Sequence, residues 1–175
     1  MEIYGRTFEK FIDQKEIQVV VAQLAKEIDK VYLGKQCTIV GVLNGAFPFL
    51  SDLVPLLKSK YQVHFTKYSS YIGTKSTGLI KQDLEIDINL TDEHVLVVED
   101  IVDTGNTLVQ ILADLSQHHP ASLNVCSLLL KPDVFNKKIN VDFVGKKIPD
   151  HFVVGYGMDI DGKGRELRDI YKLIP

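Results

Sequence analysis

The 175-residue sequence predicts an α/β domain in which a parallel sheet is flanked by helices. One observation is that short apolar runs recur at residues 37–43, 94–100 and 123–131. Another is that apolar residues at helical spacing lie between these runs. Buried strands that alternate with helices form parallel sheets with right-handed crossovers, and such sheets bind ligands beyond the carboxyl ends of their strands. The polar residues that follow each run should therefore converge on one crevice.

The first helix and the first strand have clear local signals. Asp13 and Glu16 form a capping-box pattern, and the apolar positions that follow recur with helical spacing. Gly34 should end this helix. The run CTIVGVL at residues 37–43 is then predicted to be a buried strand.

The next segment is predicted to form a helix and two strands. A helix is expected over about residues 48–59, with Pro48 in its first turn and Pro55 late in its length. The alternating run at 61–68 and the run LEIDI at 84–88 should be strands. The small, polar residues 69–81 between them indicate an arm with a mobile tip.

The second half repeats the alternation. HVLVVED should be a strand, and an apolar stripe at Leu108, Ile111, Leu112 and Leu115 predicts a helix over 107–118. LNVCSLLLK should be a strand that stops at Pro132. Further strand material is predicted at 142–145 and 152–159.

The composition limits the classes of function. A formal net charge of −3 and a pI near 5.9 give no general attraction to nucleic acid or to an anionic membrane. No apolar run is long enough to cross a bilayer, and the polar opening MEIYGRTFEK is unlike a signal peptide. Cys37 and Cys126 lie in apolar runs and are expected to be buried free thiols. We therefore expect a single cytoplasmic domain over residues 1–175.

Three acids stand beside a turn that suits a phosphate. Glu99, Asp100 and Asp103 follow the second strand and precede Thr104, Gly105, Asn106 and Thr107. The turn offers hydroxyls, a permissive glycine and free amides at a helix start. Adjacent carboxylates accept hydrogen bonds from vicinal hydroxyls and hold a divalent cation through water. The pattern favours a sugar phosphate ligand, although acids that merely cap the helix are the alternative interpretation.

The stretch VVEDIVDTGNTL closely resembles the phosphoribosyl diphosphate loop of type I phosphoribosyltransferases. LNGAFPFLSDL resembles their diphosphate loop, and SSYIGTKSTGLIK resembles their flexible catalytic loop. SLLLK is similar to the segment that recognises a 6-oxopurine in the hypoxanthine-guanine branch. DHFVVGYGMD is similar to the segment that stacks on this base. These matches span about residues 40–170 in the order of the family. The resemblance implies the type I phosphoribosyltransferase fold, with a small hood from parts of the N- and C-terminal segments.

The resemblance also implies roles at the acid-rich loop. Glu99 and Asp100 would hold the ribose 2′- and 3′-hydroxyls, with water-bridged Mg²⁺ nearby. Asp103 would exchange a proton with the purine N7. The 5′-phosphate would be bound by Asp103, Thr104, Gly105, Asn106 and Thr107.

The remaining implied roles concern diphosphate, purine and metal. The diphosphate would be bound by Leu43, Asn44, Gly45, Ser70, Tyr71 and Arg165. The peptide bond before Asn44 is often cis in the family, and many relatives carry a basic residue at this position. Lys131 would donate to the purine O6, Phe152 would stack on the base, and Val153 would offer backbone groups. Asp159 would contact a second Mg²⁺.

The implied activity is transfer of 5-phosphoribosyl from phosphoribosyl diphosphate to hypoxanthine or guanine. The implied partners are these small molecules and other copies of the chain in a dimer or tetramer. The alternatives are a phosphoribosyltransferase that uses xanthine or a pyrimidine, and a nucleic-acid-binding regulator that senses phosphoribosyl diphosphate. The acidic pI disfavours the regulator. DIDGKG at 159–164 also suggests a phosphatase motif, but little chain follows it.

Overall fold

The computed structural model describes residues 1–3, 5–70 and 80–174. Within these ranges no helix is both long enough and apolar enough to cross a membrane. The helices are α1 (Gln14–Tyr32), α2 (Phe47–Leu53) and α3 (Asn106–Ser116), and a 3₁₀ turn at Val54–Leu56 follows α2. The strands are β1 (Glu2–Ile3), β2 (Arg6–Ile12), β3 (Gln36–Leu43), β4 (Lys60–Ser70), β5 (Ile80–Leu84), β6 (His94–Val102), β7 (Ser122–Leu130), β8 (Phe143–Lys147), β9 (Val153–Val154) and β10 (Ile170–Leu173).

The larger sheet has six strands in the order β5-β4-β3-β6-β7-β8. All neighbouring pairs are parallel except β4 and β5. The inner strands are buried on both faces: Ile39, Leu96 and Val98 pack with α1 and α2, whereas Val40 and Val97 pack with α3. This arrangement confirms the predicted parallel sheet flanked by helices, and it explains the continuous apolar runs.

A smaller antiparallel sheet combines both ends of the chain. We call its strands, in the order β1-β2-β10-β9, the hood sheet. Phe8 on β2 and Val154 on β9 pack with Ile160 in a cluster of their own. Because β9 belongs to the hood sheet, this sheet also positions the end of the segment that connects β8 to β9.

The helix and strand predicted first are confirmed. The Asp13 side chain accepts a hydrogen bond from the Glu16 amide at 3.0 Å, so Asp13 caps α1. The apolar stripe of α1 is buried: Ile17, Val21, Leu24, Ala25, Ile28 and Tyr32. The helix ends at Tyr32, and Gly34 follows with a φ of +74°. Strand β3 then covers the run 37–43.

Three predicted elements were wrong in extent. Helix α2 ends at Leu53 rather than near residue 59, because Pro55 has no amide hydrogen for a continuing helix and the chain turns into a 3₁₀ geometry. LEIDI is not a strand beyond Leu84: β5 is Ile80–Leu84, and Ile86 and Ile88 pack on the α3 side of the core instead. The predicted strand 152–159 is reduced to β9, because glycines with positive φ turn the chain after Val154.

Candidate active site

A cavity of about 260 Å³ opens at the carboxyl ends of β3 and β6. Its lining includes Val42, Leu43, Gly45, Tyr68, Glu99, Asp100, Ile101, Val102, Asp103, Thr104, Gly105, Asn106, Thr107, Leu108 and Arg165. The acid-rich loop, the turn after β3 and Arg165 thus meet in one place. Among the described residues, the lining omits the predicted positions Asn44, Lys131, Phe152, Val153 and Asp159.

Two carboxylates at the end of β6 are buried. Glu99 and Asp100 are only 8% and 9% exposed, and neither has an ion pair in the part of the chain that the structure describes. Burial raises the pKa of Glu99, and the neighbouring Asp100 raises it further. Burial also raises the pKa of Asp100 to about 6, although the Ile101 amide donates to its Oδ1 at 2.9 Å. Unpaired acids of this kind are typical of functional sites.

The backbone on the opposite wall comes very close to Asp100. A Cβ atom at Gly45 would lie 1.9 Å from Asp100 Oδ2. Any larger residue at this point of the turn after β3 would require the Asp100 carboxylate to move. The peptide bond between Leu43 and Asn44 is cis. Leu43 and Gly45, two of the residues predicted to bind diphosphate, line the cavity.

The turn between β6 and α3 presents free donors to the cavity. Gly105 precedes α3 with a φ of +80°, a conformation that favours glycine. The first amides of α3 have no acceptor within the helix, and no side chain caps this helix. The Thr104 and Thr107 side chains add hydroxyls to the same lining. A helix start with these donors suits a phosphate group.

Arg165 is held in the cavity wall by two contacts. Its Nη1 donates to the Gly157 carbonyl oxygen at 2.6 Å, and its Nη2 lies 2.6 Å from Asp159 Oδ1. The Gly162 amide donates to the other Asp159 oxygen at 2.7 Å. Asp159 therefore differs from Glu99 and Asp100, because it already has a cationic partner.

Lys131 follows β7 and is enclosed by two acids. Its Nζ lies 3.0 Å from Asp103 Oδ2 and 2.9 Å from Asp150 Oδ1. The lysine side chain is 7% exposed, whereas the two carboxylates are more than half exposed. Burial lowers the pKa of Lys131, but the hydrogen bonds to Asp150 and Asp103 outweigh burial and raise it.

Asp150 is a residue that the sequence interpretation missed. It lies just before Phe152 in DHFVVGYGMD, yet only the strand order places it beside Lys131. Phe152 is 44% exposed, and its ring lies 6.4 Å from that of Phe8 in the hood sheet. Val153 is buried in β9. Ser70 ends β4, and Tyr71 lies outside the described residues.

The donor set at the end of β6 suits a hard cation. No group of three His, Cys, Asp or Glu side chains that could hold a metal occurs among residues 1–3, 5–70 and 80–174. Mg²⁺ is commonly held by one or two carboxylates, together with water and substrate phosphates. Glu99 and Asp100 supply such carboxylates, so these residues fit an ion that is shared with a phosphorylated ligand.

Comparisons with known proteins identify the family of this chain. The profile of the phosphoribosyl transferase domain matches residues 9–161. The chain therefore belongs to the phosphoribosyltransferase family. This confirms the resemblance and the enzyme class predicted from the sequence.

The relatives within this family include purine enzymes. The chain is 40% identical to the hypoxanthine phosphoribosyltransferase of Buchnera aphidicola subsp. Schizaphis graminum over 171 residues, 96% of this chain and 97% of the relative. It is 39% identical to the hypoxanthine-guanine phosphoribosyltransferase of Aquifex aeolicus, over 97% of both chains. A crystal structure of a hypoxanthine-guanine phosphoribosyltransferase from Bacillus anthracis superposes with a TM-score of 0.89 at 36% identity, covering 95% of this chain and 98% of that one.

Proposed function

We propose that the protein transfers the 5-phosphoribosyl group of phosphoribosyl diphosphate to hypoxanthine or guanine in purine salvage. The products are IMP or GMP and diphosphate. The observation that carries the proposal is that Glu99 and Asp100, which are buried and form no ion pair among the described residues, lie beside the donor-rich turn at the start of α3. A sugar phosphate matches both halves of this cavity, and relatives of nearly the same length bear the names of these enzymes.

The ribose and phosphate ends of the donor have separate partners in this proposal. Glu99 and Asp100 accept hydrogen bonds from the 2′- and 3′-hydroxyls. The 5′-phosphate is bound by the 104–107 turn, whose amides and hydroxyls are donors. The diphosphate lies against the backbone of Leu43, Asn44 and Gly45 and against Arg165. Ser70 and Tyr71 complete the proposed diphosphate site.

Asp103 is the proposed proton carrier. The bond between C1′ and the diphosphate oxygen breaks, and a bond between C1′ and the purine N9 forms. The purine loses its N7 proton to Asp103, and diphosphate departs with the electrons of the broken C1′–oxygen bond. Only Oδ2 of Asp103 has a hydrogen bond among the described residues, namely the one from Lys131. The other oxygen is therefore available to the base.

The base is bound between the end of β7 and the hood sheet. Lys131 donates to O6, Phe152 stacks on the ring, and the backbone of Val153 contacts its edge. The exposure of Phe152 supports a stacking role. A 6-amino group would leave one N–H of the buried ammonium without an acceptor, at a cost of about 1–3 kcal/mol. We propose on this basis that residues 1–175 act as one domain, with the hood sheet beside the base.

The proposal includes Mg²⁺, which would be held by Glu99 and Asp100 together with water and substrate oxygens. When bound, the ion neutralises charge on the departing diphosphate. Asp159 would contact a second ion through the lone pairs that its bonds to Arg165 and Gly162 leave.

We also propose a cytoplasmic homo-oligomer, either a dimer or a tetramer. The free, buried thiols of Cys37 and Cys126 support a reducing compartment. Exposed apolar side chains at Phe47, Val63 and Phe65 support association between copies. Sedimentation analysis of the purified protein would test the stoichiometry.

The function is tested by offering purified protein Mg²⁺ and phosphoribosyl diphosphate with one nucleobase at a time. We expect IMP from hypoxanthine or GMP from guanine, with adenine and uracil as controls. Nucleotide formation with uracil alone would overturn the assignment of the substrate.

A further inference from the structure

The ammonium group of Lys131 lies between carboxylates that come from both neighbouring strands. β7 is paired with β6 on one side and with β8 on the other. Asp103 directly follows β6, Lys131 directly follows β7, and Asp150 lies three residues after β8. The two oxygens are 3.0 and 2.9 Å from Nζ, so the cation is shared almost equally.

We propose that Asp150 is a positioning residue for base recognition. Asp150 and Asp103 both accept hydrogen bonds from the Lys131 ammonium, so Asp103 is not the sole partner of this buried cation. The third N–H of the ammonium then points to the base. This inference rests on the proposed function, in which Lys131 binds O6 and Asp103 exchanges a proton at N7.

Counting donors and charges supports this role. A lysine ammonium has three N–H donors, and two of them are used by Asp103 and Asp150. The third is left for a neutral acceptor such as a purine oxygen. Two carboxylates around one cation also leave a net negative charge beside the position where the proposed function places the N7 proton. Without Asp150, a buried ammonium would pair with Asp103 alone and occupy that carboxylate.

The backbone holds all three residues in place. The Lys131 amide donates to the Val102 carbonyl oxygen at 3.0 Å, and the Ile148 amide donates to the Leu130 carbonyl oxygen at 2.9 Å. These bonds continue the pairing of β7 with both neighbours beyond the strand ends. The lysine is therefore placed by the sheet itself, and only its flexible side chain needs the two carboxylates.

Asp150 has little other use in the fold. More than half of its side chain is exposed, and Lys131 is its only hydrogen-bond or ion-pair partner among the described residues. An exposed acid that served stability alone would leave the catalytic parameters unchanged when it is replaced.

The test compares Asp150→Asn with Asp133→Asn in the full-length protein. Asp133 is exposed, lies two residues after Lys131 and has no hydrogen bond or ion pair in the described ranges, so its replacement is a matched loss of charge. For Asp150→Asn we expect the KM for hypoxanthine to rise by about tenfold and kcat to fall. The KM for phosphoribosyl diphosphate and the urea midpoint of unfolding should equal those of the wild type.

The conservative variant Asp150→Glu should restore part of the hypoxanthine KM, because it keeps a carboxylate. Unchanged parameters for hypoxanthine in Asp150→Asn would overturn the inference, while wild-type turnover of hypoxanthine would leave the proposed function intact. An equal rise of both KM values with a lower unfolding midpoint, or the same effect in Asp133→Asn, would also overturn it. Absence of wild-type activity on every 6-oxopurine would instead overturn the proposed function.

Discussion

The ends of β6 and β7 are neighbours in one sheet, yet their electrostatics are opposite. At β6, Glu99 and Asp100 are buried acids that form no ion pair in the described part of the chain. At β7, the buried charge is the Lys131 ammonium, and it has two exposed carboxylates as partners. Among the described residues, the two carboxylates of the first site have no ion pair and accept no hydrogen bond from a hydroxyl group, whereas the ammonium of the second site has one N–H left for a neutral acceptor. The contrast indicates which part of a nucleotide belongs at each strand end.

The two strand ends also differ in their contribution to the free energy of unfolding. Burying an ionised carboxylate without a partner is unfavourable, whereas a paired cation is compensated. The β6 end therefore destabilises the ligand-free fold and the β7 end does not. The following predictions test this difference, from the largest expected effect to the smallest.

The largest effect is expected from Asp103→Asn. The amide still accepts a hydrogen bond from Lys131 but does not carry a proton, so kcat should fall by about 10²–10⁴-fold. The KM for phosphoribosyl diphosphate should change by less than about threefold, because the donor contacts other groups. Steady-state kinetics with both substrates varied would measure this, with Asp133→Asn as control. Full activity would refute the assignment of proton transfer.

The next effect concerns stability and pH in Asp100→Asn. The folded pKa of Asp100 is raised from 3.8 to about 6, so the folded state holds its proton more tightly than the unfolded state does. Ionisation of Asp100 therefore does not lower the free energy of unfolding below about pH 4, and it lowers it by the full amount above about pH 6. The two-unit shift corresponds to about 3 kcal/mol, so the variant should be more stable than the wild type by up to that amount above pH 6.

This prediction is measured by urea unfolding in metal-free buffer across that pH range. The gain in free energy of unfolding should disappear toward pH 4. A gain that is the same at every pH would show that ionisation of Asp100 is not its cause. Asp133→Asn should show no dependence of this kind.

A smaller effect is expected from Arg165→Lys. Arginine contacts the Gly157 carbonyl oxygen and Asp159 with two different nitrogens, and a lysine ammonium lacks this planar fork. The KM for phosphoribosyl diphosphate should rise by about tenfold. The KM for hypoxanthine should be unchanged, and a matching rise of both values would refute a specific diphosphate contact.

The smallest effect is expected from Lys146→Met. The Nζ of Lys146 lies 2.5 Å from Glu16 Oε1, but both side chains are substantially exposed. Such pairs contribute at most about 1 kcal/mol, so stability should change little and activity not at all. A loss of activity would show that a charged pair away from the ends of β6 and β7 influences the site.

The fold was largely predictable because its signals are local. The apolar runs that became β3, β6 and β7 are buried on both faces, and the Asp13 cap marks the start of α1. The alternation of LEIDI predicted a strand over residues 84–88. This was wrong in extent because Ile86 and Ile88 pack against the core without joining the sheet. The end of α2 depends on Pro55, which stops the helix earlier than the apolar pattern of the segment indicates.

The site was predictable only where its residues are contiguous. The 99–107 loop carries its acids and its turn in one stretch, and the structure places both in one cavity. The partnership of Lys131 with Asp150 joins residues from two loops, and it depends on β8 lying beside β7. No spacing in the sequence reveals that adjacency. The cationic partner of Asp159 was likewise visible only in three dimensions.

The most direct test is a crystal structure of the protein with IMP bound. The ribose hydroxyls should contact Glu99 and Asp100, the phosphate should lie on the 104–107 turn, and the base should accept a hydrogen bond from Lys131. An IMP molecule bound elsewhere, with the two β6 carboxylates still lacking a ligand, would contradict the account.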